Sequence, residues 1–149
     1  MNMTETVVKL LLVLLVGGLI GAEREFHDKT AGFRTITFIC IGATLFTILS
    51  LEIGGEANDP IRIAASIVTG IGFIGAGVIL RHEGHVTGVT TASTIWVVAA
   101  LGMAIGGGYY FVAGITTAII ITGLWVFPLI DRFIHKTRET RTYHIVFPT

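Results

Sequence analysis

Charged residues are scarce in this sequence: Asp, Glu, Lys and Arg make up 13% of its 149 residues, and ten acids balance ten bases. A soluble domain of this length carries a more polar surface, and a chain with no net charge offers nucleic acid no attraction, so no nucleic-acid partner is expected. Cysteine is nearly absent. Cys40 lies alone inside an apolar run, which excludes an intrachain disulfide and a cysteine-based metal cluster. Beyond Lys9, no ionisable residue lies well inside a long apolar stretch, and this weakens proton relays and driven ion carriers, which place such groups at depth. No Ser, Cys or His is flanked by groups that would activate it as a nucleophile, so the chain is not expected to be an enzyme.

What fills the chain is apolar: hydrophobic residues reach 52% and mean hydropathy is +0.81. A hydrocarbon slab of about 30 Å takes about 20 helical residues to cross, and five runs approach that length. They are Val7–Ala22, Thr35–Leu51, Ile63–Leu80, Val89–Gly106 and Tyr109–Ile130, with Pro128 marking a frayed end. The fold expected is all-α, a polytopic membrane helix bundle of about five transmembrane helices. A transmembrane domain would cover residues 1–130, followed by a short tail at 131–149. The main alternative has four spans, with the fourth or fifth segment re-entrant and shielded by protein.

Lys and Arg favour cytoplasmic loops. Arg24, Lys29, Arg34, Arg81, Arg132, Lys136, Arg138 and Arg141 all fall on one side of a five-span arrangement, with only Lys9 and Arg62 opposite. The N-terminus is therefore expected outside and the C-terminus in the cytoplasm.

Glycine is abundant, 19 residues, and many lie within the runs, where small residues let helix backbones approach closely. At 100° per residue, Ser66, Gly70 and Gly77 share one face of the third run, while Gly72 and Gly75 lie on roughly the other. The third run is therefore the expected centre of the bundle. Gly17 and Gly21 form a GxxxG pair in the first run, and Gly102 and Gly106 another in the fourth. A sharper alternative is that Thr69 to Gly77 unwinds and offers backbone carbonyls to an ion or ligand. A leftover small-residue face would also suit a homodimer.

Charges gather at the helix ends. Glu23 and Glu25 stand near Arg24, Lys29 and Arg34 across a short loop, an arrangement that suggests a compact ionic plug. Asp59 and Pro60 read as a helix start, with Asp as N-cap and Pro at the first helical position. Glu52, Glu56 and Asp59 make that loop acidic and form the only, weakly specified, candidate cation site, for an ion such as Mg²⁺. No cofactor is otherwise indicated. His82 and His85 beside Glu83 read as a hydrated turn rather than a metal site.

Three linked stretches resemble the MgtC/SapB family of bacterial inner-membrane proteins. They are Gly21-Ala22-Glu23-Arg24-Glu25 through Lys29-Thr30-Ala31-Gly32-Phe33-Arg34-Thr35; Asp59-Pro60-Ile61-Arg62 through Gly70-Ile71-Gly72-Phe73-Ile74-Gly75-Ala76-Gly77; and Gly88-Val89-Thr90-Thr91-Ala92 through Trp96, Ala99-Ala100 and Gly102. The resemblance implies a multi-pass protein of the bacterial plasma membrane, tied to growth at low magnesium, acid or intracellular stress and, in some members, virulence. It also implies regulators that bind other membrane complexes, including the rotary ATP synthase, rather than pumps. On this resemblance Glu23, Arg24, Glu25, Lys29, Arg34, Asp59 and Arg62 are the charged motif positions. Ser66, Thr69, Gly70, Gly72, Gly75, Gly77, Thr90 and Thr91 are the candidate packing or ligand-path residues. Longer members carry a soluble ACT-like domain, and the alternating stretch Arg141–Phe147 reads either as its first strand or as a tail. The function expected is that of a membrane regulator or adaptor, with a Mg²⁺ or other cation channel or transporter as the alternative.

Overall fold

The computed structural model describes residues 2–53, 60–82 and 85–137. Five helices follow one another: α1 Met3–Phe26, α2 Phe33–Ile53, α3 Pro60–Gly77, α4 Val89–Gly106 and α5 Tyr110–Thr137. Four of them are long and apolar enough to cross a membrane: α1, α2, α4 and the Tyr110–Ile130 part of α5. The apolar part of α3, Arg62–Gly77, is shorter. Neither α4 nor α5 is a re-entrant loop, since each is a continuous helix; the segment that falls short of a full span is the third.

The expected run to Leu80 ends early because the chain changes partner. Val78 and Ile79 donate their N–H groups to the carbonyls of Gly75 and Ala76, the tight bonds that finish a helix. Leu80–His82, β1, then pairs antiparallel with His85–Thr87, β2, in the register Leu80 to Thr87, Arg81 to Val86 and His82 to His85. The two histidines, expected in a turn, are thus cross-strand partners, and Glu83 and Gly84 between them lie outside the described residues. The helix start at Pro60 agrees with proline at a first helical position, and Asp59 lies outside the described residues. At the other end of the chain, α5 runs past Pro128 to Thr137, so the expected fraying there does not occur. Proline inside a helix forfeits one backbone bond, here to the carbonyl of Leu124, and the apolar turns before it hold the helix together.

Helix α4 touches all four other helices, and α2 lies against α1, α3 and α4. The core is built from Val13 and Ile20 of α1, Ile36 and Cys40 of α2, and Ile95, Val98, Leu101 and Ile105 of α4. The expectation that the third helix forms the centre is therefore corrected: α4 does. The sequence pattern misleads because glycine permits close packing but does not say which glycines receive a neighbour. Gly70, Gly72 and Gly77 of α3 have open space where a side chain would sit. By contrast, a Cβ on Gly106 would lie 2.8 Å from the Thr44 carbonyl oxygen, and one on Gly102 would overlap the Cys40 carbonyl. On α1, a Cβ on Gly21 would meet the Phe33 backbone at 2.9 Å. The glycines of α1 and α4 let both helices press on α2.

One side-chain bond ties α2 to α4. The buried Thr44 hydroxyl donates its one proton, shared between the carbonyls of Cys40, 3.0 Å away on its own helix, and of Gly102, 2.8 Å away on α4. Thr44→Val keeps the shape and removes this shared donor, and is expected to cost about 1 kcal/mol of stability in detergent unfolding. Large apolar residues cover the outside, among them Leu15, Phe38, Phe73 and Phe111. An exposed shell of this kind suits acyl chains as its solvent.

Candidate functional site

The site lies where α1 ends. The inward stripe of α1 runs Val13, Val16, Gly17, Ile20 and Gly21, at spacings of three and four. The next positions on that stripe are Glu23 and Arg24, and both are buried, at 8% and 2% exposure. Position, not residue type, carries the two charges inward. Helix α1 continues through them to Phe26, beyond the Ala22 boundary expected from hydropathy.

Arg24 reaches α4: its Nη2 donates to the Thr91 hydroxyl at 3.2 Å, a pair 67 residues apart in sequence. Its Nε has no hydrogen-bond partner, nor does Oε2 of Glu23. The other carboxylate oxygen, Oε1, lies 3.1 Å from Nδ1 of His27. That nitrogen is also 2.9 Å from the Glu23 backbone carbonyl. Both neighbours are acceptors, so Nδ1 carries the proton in this arrangement. The His27 ring meets Trp125 of α5 edge-on, centroids 6.2 Å apart. Three helices thus converge on one charged turn.

Glu25 points the other way. Its Oε2 accepts the Phe33 N–H at 2.9 Å, so a carboxylate sits on the open N-terminus of α2, where the helix dipole favours it. The intervening turn is a Schellman motif: Lys29 N–H bonds the Arg24 carbonyl at 3.0 Å and Asp28 N–H the Glu25 carbonyl at 3.1 Å. Asp28 takes φ of 51°, the left-handed region that favours glycine. The α4 to α5 turn repeats the motif with Gly108 at that position, φ 84°, and bonds from Tyr109 to Ala104 and Gly108 to Ile105. Asp28→Gly is expected to stabilise the protein by about 0.5 kcal/mol, read as a higher unfolding temperature in detergent.

The ionic plug expected from sequence is corrected. Glu23 joins His27, Glu25 caps α2, and Lys29 and Arg34 are exposed. Helical geometry separates them, since consecutive residues turn by about 100° and Glu25 cannot share the inward face of Glu23 and Arg24. Of the hydroxyl pair, Thr91 is buried on Arg24 and Thr90 is exposed.

The other candidates lie apart from this turn. Arg62 is exposed on α3, and Ser66 and Thr69 spend their hydroxyls on the carbonyls of Arg62 and Ala65, at 2.9 and 2.8 Å. Because α3 is a continuous helix, the suggested unwinding between Thr69 and Gly77 is not found. Only Gly75 of its glycines is buried, 3.7 Å from Ala92 of α4 by its Cβ position. Ser66 and Gly70 face an apolar groove of about 830 Å³ between α2 and α3, lined also by Phe38, Gly42, Phe46 and Ile74. Glu52 is exposed near the end of α2, while Glu56 and Asp59 lie outside the described residues. Among the described residues, no three His, Cys, Asp or Glu side chains form a metal-binding group.

Burial of the Glu23-Arg24-Glu25 cluster was open to sequence reasoning, which did not find which of its members turn inward, nor the contact of His27 with Trp125. The first was available in the stripe that leads from Val13 to Ile20. The second requires knowing that α5 folds back beside α1.

A family model described as the MgtC family matches residues 10–133. An uncharacterized protein of Haemophilus influenzae is 37% identical over 142 residues, covering 89% of this chain and 60% of that protein. A Brucella abortus protein named "Protein MgtC" is 45% identical over 107 residues, 72% of this chain and 44% of its own. An Escherichia coli K12 protein named "Putative magnesium transporter YhiD" is 46% identical over 113 residues, 71% of this chain and 53% of its own. The chain spans about half the length of these relatives. No solved structure matches it significantly.

Proposed function

The chain belongs to the MgtC family, and from that premise we propose that it is a membrane regulator or adaptor that acts by binding other membrane proteins and not by carrying an ion. The observation that supports this reading is how the hydroxyls inside the bundle are used. Thr94 and Thr117 each bond a carbonyl four residues back in their own helix, at 2.8 and 2.7 Å, and Thr44 does so while bridging to α4. These three hydroxyls are committed within the bundle and the interior around them is filled by Ile, Val and Leu, whereas the buried Thr37 hydroxyl has no partner among the described residues.

In this reading the protein sits in the bacterial inner membrane with the C-terminus in the cytoplasm, the side on which Lys and Arg collect. The charged turn at Glu23 to Arg34 then faces the cytoplasm. Its exposed members, Glu25, Lys29 and Arg34, are available to a partner such as the ATP synthase, in adaptation to low magnesium or intracellular stress. The uncovered small residues on one face of α3, Ser66, Gly70 and Gly77, suit self-association into a homodimer.

Co-purification from native membranes tests the adaptor. A partner recovered with the parent protein and lost on Arg34→Ala is expected, and recovery of no partner counts against the reading. The second reading, a Mg²⁺ or other cation transporter, is favoured by the name of the Escherichia coli relative. Liposomes loaded with a Mg²⁺ indicator separate the two: the adaptor predicts flux no greater than in empty vesicles, and flux that scales with protein content decides for transport.

A further inference from the structure

We propose that the first turn of α4, together with Arg24, is a binding site for a phosphate-type oxyanion. Helix α4 is 18 residues long and opens on Gly88, whose φ is 88° and which has no side chain to cap it. Its first intrahelical bond runs from the Ala92 N–H to the Gly88 carbonyl at 2.8 Å, so the N–H groups of Val89, Thr90 and Thr91 have no partner within the helix. No acidic residue occupies the first turn. The positive end of the α4 dipole is thus left without an anion from its own helix.

Independent of the helix end, a buried cation points to the same place. Arg24 is 2% exposed, and its only described side-chain bond is Nη2 to the Thr91 hydroxyl at 3.2 Å, in that same first turn. A guanidinium is unfavourable at the positive end of a helix unless an anion lies between them. Its Nε is buried with no acceptor. Glu23, its chain neighbour, lends a nearby negative charge but accepts no bond from it: Oε1 faces His27 and Oε2 meets no donor among the described residues. A tetrahedral oxyanion placed there would accept from Nε of Arg24 and from the N–H groups of Val89, Thr90 and Thr91, for which no partner is found among the described residues. Thr91 accepts from Arg24 and keeps its own hydroxyl proton to donate.

Both α1 and the α4 start end at loops, so the oxyanion could be free inorganic phosphate or the headgroup phosphate of an anionic lipid. Thermal unfolding of the full chain separates these sources, using detergent with inorganic phosphate against chloride of equal ionic strength, and nanodiscs of phosphatidylglycerol against phosphatidylcholine. Stabilisation by phosphate assigns the free anion, and stabilisation only by phosphatidylglycerol assigns the lipid. In either case Arg24→Gln is expected to weaken the half-saturating concentration at least tenfold, with Lys9→Gln, toward the opposite end of α1 and paired with Glu5, unchanged. If Arg24→Gln does not fold, Thr91→Val takes its place, with a smaller loss expected. No response of the parent protein in either arm overturns the proposal. So does a response that Arg24→Gln and Thr91→Val leave intact.

Discussion

Replacing Gly102 with alanine is expected to destabilise the bundle by about 2 kcal/mol, while Gly70→Ala leaves stability unchanged or raises it by up to about 1 kcal/mol. Both substitutions gain helix propensity, so propensity cannot separate them. Surroundings do. At Gly102 the new methyl overlaps the Cys40 carbonyl and comes within 2.9 Å of the Ala43 Cβ. The obstacle is backbone, which has no rotamer to change, so α2 and α4 must separate and the bond from Thr44 to the Gly102 carbonyl lengthens with them. At Gly70 nothing lies within 4 Å. Unfolding of each variant in mixed micelles measures the difference, and equal effects at the two positions would refute the packing of α4 on α2. A Gly70→Ala variant that is stable in micelles but loses cross-linked dimer in native membranes would locate self-association on α3.

The second large effect is expected at the buried charges. Glu23→Leu should cost about 3 kcal/mol, because it leaves the Arg24 guanidinium buried at the α4 N-terminus with the neighbouring negative charge gone. It also removes the contact to His27. The double variant Glu23→Leu with Arg24→Leu is expected to be more stable than Glu23→Leu alone, since two apolar side chains extend the α1 stripe and no isolated charge remains. This inversion is the informative result, because ordinary packing losses would add. Both variants are read by the same micellar unfolding, with Trp125 fluorescence in a Trp96→Phe background reporting whether α5 still meets the end of α1. A double variant as unstable as the sum of its single changes would show that the two charges do not offset one another.

Much of the architecture was legible from composition. Backbone in hydrocarbon is satisfied only in helices or closed barrels, continuous apolar runs select helices, and the lengths of Val7–Ala22, Thr35–Leu51 and Val89–Gly106 marked three of them to within a few residues. The ends were less legible, because hydropathy registers lipid and not hydrogen bonding. It closed α1 at Ala22, although the helix needs Glu23 and Arg24 to reach its cap at His27. It ran the third segment on to Leu80, where antiparallel pairing takes over.

The sequence by itself determined that these segments are helices in an apolar solvent and that glycine lets some of them touch. It also placed Glu23 and Arg24 on a stripe shared with Ile20, since helical periodicity is a local property. Only the tertiary structure decided that α4, not α3, is the helix every other one touches, that Arg24 ends on Thr91 and that His27 meets Trp125. Those facts depend on which faces meet across 67 or more residues of chain, and apolar faces in a bilayer are distinguished by shape alone, which no local pattern records.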